Sequence, residues 1–222
     1  MIKRRLIIGD YDTAVNGLWT LREWDLTSAE QVTTFLDIPG RIDGPLDASV
    51  ALTDGDPRYG SRTLTAVLES SEGSRIERES RISIMTNWLD GWRLNIVLPD
   101  DPTHYVVGRV HVARLYNDLA HASVQVTAVC DPWKYSIDET VHVLTLTQNA
   151  QSATFVNNGR RTVVPTVTIE GGPASLVFGT AAWTLSAGVY SLPDFFLRQG
   201  EGTLTYSGTG TVRVTYREAV LQ

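Results

Sequence analysis

The groups in this chain that can carry chemistry are few and scattered. Its four histidines, His104, His111, His121 and His142, show neither the His-Glu-x-x-His pattern of a zinc hydrolase nor another ligand spacing. His111 lies in an alternating run, where a hydrogen-bonded or exposed histidine is the ordinary occurrence. Cys130 stands alone, so the chain closes no internal disulfide and builds no metal site on paired thiolates. Ser61 follows Gly60, but no Gly-x-Ser-x-Gly elbow surrounds it. Gly208-Thr209-Gly210 does not continue as a nucleotide loop and reads as strand, turn, strand. Asp54-Gly55-Asp56 is acidic enough for calcium, yet the rest of the loop is wrong and a turn is the better reading. A glycosidase needs two carboxylates held a defined distance apart. Beyond Tyr135 the acids are Asp138, Glu139, Glu170, Asp194, Glu201 and Glu218, and no spacing pairs them. Trp183, Tyr190, Phe195, Phe196 and Tyr206 can stack on sugars or fill a core. Trp183 is the candidate for glycan stacking. The expectation is a protein with no catalytic residue, no metal and no cofactor.

The elements around these groups are mainly strands. Leu18, Thr20, Arg22 and Trp24 alternate with Trp19, Leu21 and Glu23; residues 105–115 and 123–129 alternate as well, with a turn at Asn117-Asp118 and His121. One segment, 74–89, breaks this period. It places Ile76, Ile84, Met85, Trp88 and Leu89 among charges, with Arg75, Glu77, Arg78, Glu79 and Arg81 at helical neighbour spacing. Ser74 with Glu77 forms a capping box and Gly91 a stop, which predicts one amphipathic helix.

Charge divides the chain further. Up to Tyr135 there are 14 basic and 19 acidic residues, and beyond it 5 and 6. The second part is rich in Thr, Val, Gly and Ser. Its short strands are expected near 141–146, 153–156, 163–169, 176–178, 182–185, 195–197, 202–206 and 211–216, separated by turns that include Gly188. This predicts a β-sandwich. The domains are therefore read as 1–135 and 136–222, both mainly β, the first sandwich-like with one helix. Pro132, Trp133 and Tyr135 are expected to plug the junction.

The net charge of −6 and the absence of a long basic run argue against a general nucleic-acid binder. Lys3-Arg4-Arg5 reads as a solvated end. Leu6-Ile7-Ile8 is cut off by Gly9 and Asp10, too short for the apolar region of a signal peptide, and no run approaches a membrane span. The expectation is cytoplasmic synthesis, no membrane insertion and solubility until assembly. Lysine occurs only at Lys3 and Lys134; a GC-rich genome or a preference for arginine at interfaces explains this equally well.

Several stretches, in order, resemble the distal tail proteins of long-tailed phages. These are Ile38-Pro39-Gly40-Arg41-Ile42-Asp43-Gly44-Pro45-Leu46-Asp47 with Tyr59-Gly60-Ser61-Arg62; Trp88-Leu89-Asp90-Gly91 with Tyr105-Val106-Val107-Gly108-Arg109-Val110; Val129-Cys130-Asp131-Pro132-Trp133-Lys134-Tyr135; and, more weakly, 164–171 and 212–218. The resemblance implies a hexameric ring of N-terminal domains and a galectin-like C-terminal sandwich facing outward. It also implies contacts with the tail-tube protein, with the tail-tip hub or lysin, and with receptor-binding proteins, in the virion at the distal end of the tail. A closed ring needs two different patches per subunit. In the loop 39–47, Gly40 and Gly44 permit unusual backbone angles, and Arg41, Asp43 and Asp47 can pair. That loop, with Pro39, is read either as part of an inter-subunit contact or as an intramolecular turn. The chain has no room for the long inserted sugar-binding modules of some family members. The alternative function is a carbohydrate-binding module or glycoside-acting enzyme recognising the host cell wall.

Overall fold

The computed structural model describes residues 4–39, 44–51, 53, 56–192 and 194–221. The protein is mainly β, with two helices among the described residues, and divides into two compact units, Met1–Lys134 with Leu221–Gln222, and Tyr135–Val220.

The first unit contains β1 (Ile7–Ile8), β2 (Tyr11–Asp12), α1 (Thr13–Asn16), β3 (Thr20–Leu26), β4 (Phe35–Leu36), β5 (Leu46–Asp47), β6 (Arg62–Ser70), α2 (Arg75–Leu89), β7 (Arg93–Leu98), β8 (Asp101–Asn117) and most of β9 (Ala122–Ser136). The main sheet runs β2-β1-β7-β8-β9-β6-β3, and α2 packs on β8. In β6 every second residue is buried, from Arg62 through Leu64, Ala66 and Leu68 to Ser70, the period of a strand with one face on a core. β3 departs from that rule. Leu21 pairs with Leu68 but Glu23 with Val67, so Arg22 is an extra residue, a β-bulge. Strict alternation would set Trp24 opposite Trp19 and Leu21. The bulge reverses the phase, and Trp24 and Leu26 pack against the same core as those two.

The helix begins where its capping box predicts. Ser74 Oγ accepts from the Glu77 N–H at 3.3 Å, and Glu77 Oε2 accepts from the Ser74 N–H at 2.6 Å. Gly91, at φ +80°, follows the last turn. The buried stripe differs from the expected one: it is Arg78, Ile82, Met85 and Leu89, while Ile76, Ile84 and Trp88 are exposed. Arg78 earns its inward position by donating to the carbonyls of Gly73 (2.6 Å), Asp118 (2.8 Å) and Leu119 (3.1 Å), which ties the start of α2 to the β8–β9 turn. Arg81 likewise reaches off the helix, to the Glu72 carbonyl and Ser70 Oγ, and Glu79 pairs with Arg114 of β8 at 2.9 Å. The alternating charges thus mainly bind the helix to the sheet.

The second unit holds β10 (Thr140–Leu146), β11 (Gln151–Asn157), β12 (Thr166–Glu170), β13 (Ala174–Phe178), β14 (Ala181–Leu185), β15 (Gly188–Ser191), β16 (Gly200–Gly208) and β17 (Gly210–Tyr216). They form two four-stranded sheets, β10-β17-β12-β15 and β11-β16-β13-β14. One core joins them, with Phe155, Phe195, Val167, Leu176, Leu204 and Val214 at its centre. Gly208-Thr209-Gly210 is the corner between sheets. A Cβ on Gly210 would stand 2.0 Å from the Glu170 carbonyl oxygen, and one on Gly208 2.3 Å from that of Pro173. Two expectations are corrected. Gly188 opens a strand rather than a turn, and 195–197 is not a strand: Leu197 only bridges Val163, while Phe195 points into the core.

Candidate assembly surface

Between β3 and β6 the chain leaves the sheet as an arm. Its stem is a ladder: the Thr27 N–H donates to the Thr63 carbonyl at 3.0 Å, the Gly60 N–H to Glu30 at 2.8 Å, and the Val32 N–H to Arg58 at 2.9 Å. Buried Arg62 closes the base by donating to the Thr27 and Leu221 carbonyls. At the tip, β4 and β5 pair Phe35 with Asp47 and Leu36 with Leu46. The Ser49 N–H donates to Asp47 at 2.9 Å, and Ser49 Oγ accepts from the Thr34 N–H at 2.8 Å. The Ser49 hydroxyl and N–H together lower the Asp47 pKa.

Among the described residues, the apolar side chains at the tip of this arm stay open to solvent. Residues 31–39 and 44–47 are all exposed, with Phe35 at 60% and Leu36 at 49%. A hairpin of two-residue strands is marginal without a hydrophobic face to bury, and exposed apolar patches of this kind are candidate contact surfaces. Val32, Thr34, Leu36, Ala48, Ala51 and Arg58 line a groove of about 320 Å³ in it.

The outer face of α2 is a second such surface. Its first half, 75–81, carries five charged residues; 82–89 carries none. Ser83, Ile84, Asn87 and Trp88 face outward there, and Trp92 follows beyond Gly91. Trp88 is 58% exposed and Trp92 63%. Aromatic enrichment with charge depletion marks the core of an interface, whereas a solvated helix face carries charge. The absence of charge over 82–89 was legible in the sequence; the outward aim of Trp88 needed the structure.

Of the residues singled out in the loop, Pro39 is exposed, and Gly44, at φ +80°, takes a left-handed conformation that favours glycine. Gly40, Arg41 and Asp43 lie outside the described residues, as do Lys3, Asp54 and Gly55. Trp133 meets Tyr59, in the arm stem, edge to face at 5.4 Å, so the arm base is braced by β9. Pro132 lies in β9 beside it. In the second unit, Arg161 donates to Tyr135 Oη at 3.1 Å and lies over its ring. Trp183 packs half-buried against that unit's core.

Side chains that come together do structural work. His104 Nδ1 lies 2.9 Å from Asp101 Oδ1 and 3.0 Å from Thr103 Oγ1, with Lys134 Nζ 3.0 Å from Asp101 Oδ2. Hydroxyl and carboxylate share one ring nitrogen, so no proton can pass from one to the other through the imidazole as a triad requires. Burial opposes charge on Asp101, but bonds from His104 and Lys134 outweigh it and hold its pKa low. Asp90 accepts from the Val112 N–H at 2.9 Å and pairs with His111 at 2.7 Å. Burial pushes the Cys130 thiol up to about 11, which removes its nucleophilicity at neutral pH. Among the described residues no three His, Cys, Asp or Glu gather to hold a metal ion, and no helix is long and apolar enough to cross a membrane.

No protein-family model matches this chain, and no curated protein matches it. Among solved structures it is similar to the Dit protein of phage SPP1, described as a paradigm of the hub adsorption apparatus in phages that infect Gram-positive hosts. The likeness covers 97% of this chain and 98% of that one, with a TM-score of 0.67 and 15% sequence identity. At that identity the likeness establishes a shared fold over both units.

Proposed function

We propose that this chain is a structural, non-enzymatic subunit of a bacteriophage tail tip. Copies of the first unit close into a ring, six-fold by the family resemblance, that joins the tail tube to the tail-tip hub and the host-adhesion proteins. The second unit is a galectin-like sandwich facing outward. The protein assembles in the host cytoplasm and ends at the distal end of the tail.

The observation that carries this reading is the fold likeness to a phage hub-adsorption protein over nearly the full length of both chains. A fold alone does not fix a function, but the surfaces agree with this one. A ring of head-to-tail contacts needs two unlike patches per copy, and the first unit presents a coreless arm and an uncharged, tryptophan-bearing helix face. The test is localisation. Antibodies against the purified protein should label one end of the tail in intact particles, and the protein should co-sediment with tail-tube and hub proteins. Its absence from purified particles, or label on the capsid, would overturn the reading.

A further inference from the structure

We propose that the arm groove and the Trp88–Trp92 face are the two halves of one contact, made head-to-tail between neighbouring copies of this chain. The indoles of one copy enter the groove lined by Val32, Leu36, Ala48 and Ala51 of the next. This rests on the ring reading and says which surfaces close the ring.

Four observations favour the pairing. The arm offers a largely apolar groove of about 320 Å³, and the end of α2 offers two indoles that are each more than half exposed. Tryptophan seated in a pocket is the commonest form of interface hot spot. The rims match in charge as well. Arg58 lines the groove, where a guanidinium can lie over an indole face. Arg109 donates to the Gly91 carbonyl beside Trp92, while Asp37 and Asp47 are exposed along the arm. Both surfaces are also mechanically held. The arm is braced at its base by Arg62 and the Tyr59–Trp133 contact, and Trp88 by its edge-to-face contact with Tyr11 at 6.2 Å. Finally, the patches differ from each other, so the contact is heterologous and propagates around a circle instead of stopping at a two-fold dimer.

Two full-length variants test this. Leu36→Asp spoils the groove, and Trp92→Ser spoils the face; both side chains are exposed, and unchanged thermal unfolding of each isolated variant confirms folding. By sedimentation velocity, each variant alone should lose self-association by roughly 30-fold or more. Mixed one to one, they should form dimers and stop there, because the mixture contains one intact groove matched to one intact face. A second measurement uses Leu36→Cys and Trp92→Cys copies under mild oxidation: a disulfide should form between the two kinds of copy and not within either kind alone. Rings that persist in either variant, or a mixture that yields no dimer, would overturn the pairing while leaving the ring intact. A native chain that stays monomeric, alone and with the tail-tube and hub proteins, would overturn the ring reading itself.

Discussion

β6 and the arm tip are built from similar residues and have opposite surroundings. In β6, Leu64 and Leu68 are fully buried, their strand pairs on both edges, and every second side chain enters the core. In the arm, Phe35, Leu36 and Leu46 sit on two-residue strands and Ile38 just beyond β4, and all four are exposed. Apolar side chains in β6 hold one copy together. Those of the arm bury little in one copy, so their exposed apolar surface is offset only when something covers them. The difference teaches that a buried core strand and an exposed hairpin can share apolar residue types and differ in what faces them.

The comparison breaks first at the core. Leu68→Ala should destabilise the isolated protein by about 2–5 kcal/mol, read as a lowered urea midpoint; a loss near zero would mean that β6 does not anchor the first unit. In the second unit, Trp183→Ala should cost about 1–3 kcal/mol, since the ring is half-buried on that core. Retained stability together with lost binding on a cell-wall glycan panel would instead assign Trp183 to sugar recognition.

Two titrations sharpen the comparison. Burial raises the Cys130 thiol from 9.0 to about 11. Its folded value lies above its unfolded value, so the associated stability is complete below about pH 9.0 and is lost as pH rises toward 11. Cys130→Ala should flatten that alkaline loss, on the order of 1–2 kcal/mol, seen in urea midpoints across the range. Asp90 has the opposite sign. The Val112 N–H, and secondarily His111, hold its pKa below 3.8 against a smaller opposing effect of burial. Its contribution is present above the unfolded value and lost as pH falls through the folded one, so Asp90→Asn should lessen the acid-side slope below pH 3.8. The smallest effect belongs to the arm: Leu36→Ser should change the stability of an isolated copy by less than about 0.5 kcal/mol. A cost like that of Leu68→Ala would erase the distinction between the regions.

Much of the architecture was legible from the chain because local signals agreed with the global fold. The Ser74–Glu77 box set the start of α2, and the alternation of 105–115 and 123–129 set β8 and β9. What escaped was tertiary in origin. Arg78 is buried because three carbonyls from a turn and a hairpin converge on it, which no helical period encodes. Arg22 is a bulge, so the alternation read through Trp24 fell out of phase. α1 is a single turn capped by the Asp12 side chain, too short for a period to reveal. β4 and β5 carry two residues each, and β15 begins at a glycine that had the look of a turn. At the candidate site, the glycines and charges of the loop 39–47 are visible in the sequence, while the exposure of Phe35, Leu36 and Trp92 is not, since an apolar residue announces its exposure only once the fold is known.

Everything proposed here depends on self-assembly into a closed circle, and two-dimensional class averages of the purified full-length protein at high concentration test that most directly. The account predicts annular particles with six-fold rotational symmetry. Single asymmetric particles, persisting when the tail-tube and hub proteins are added, would contradict it.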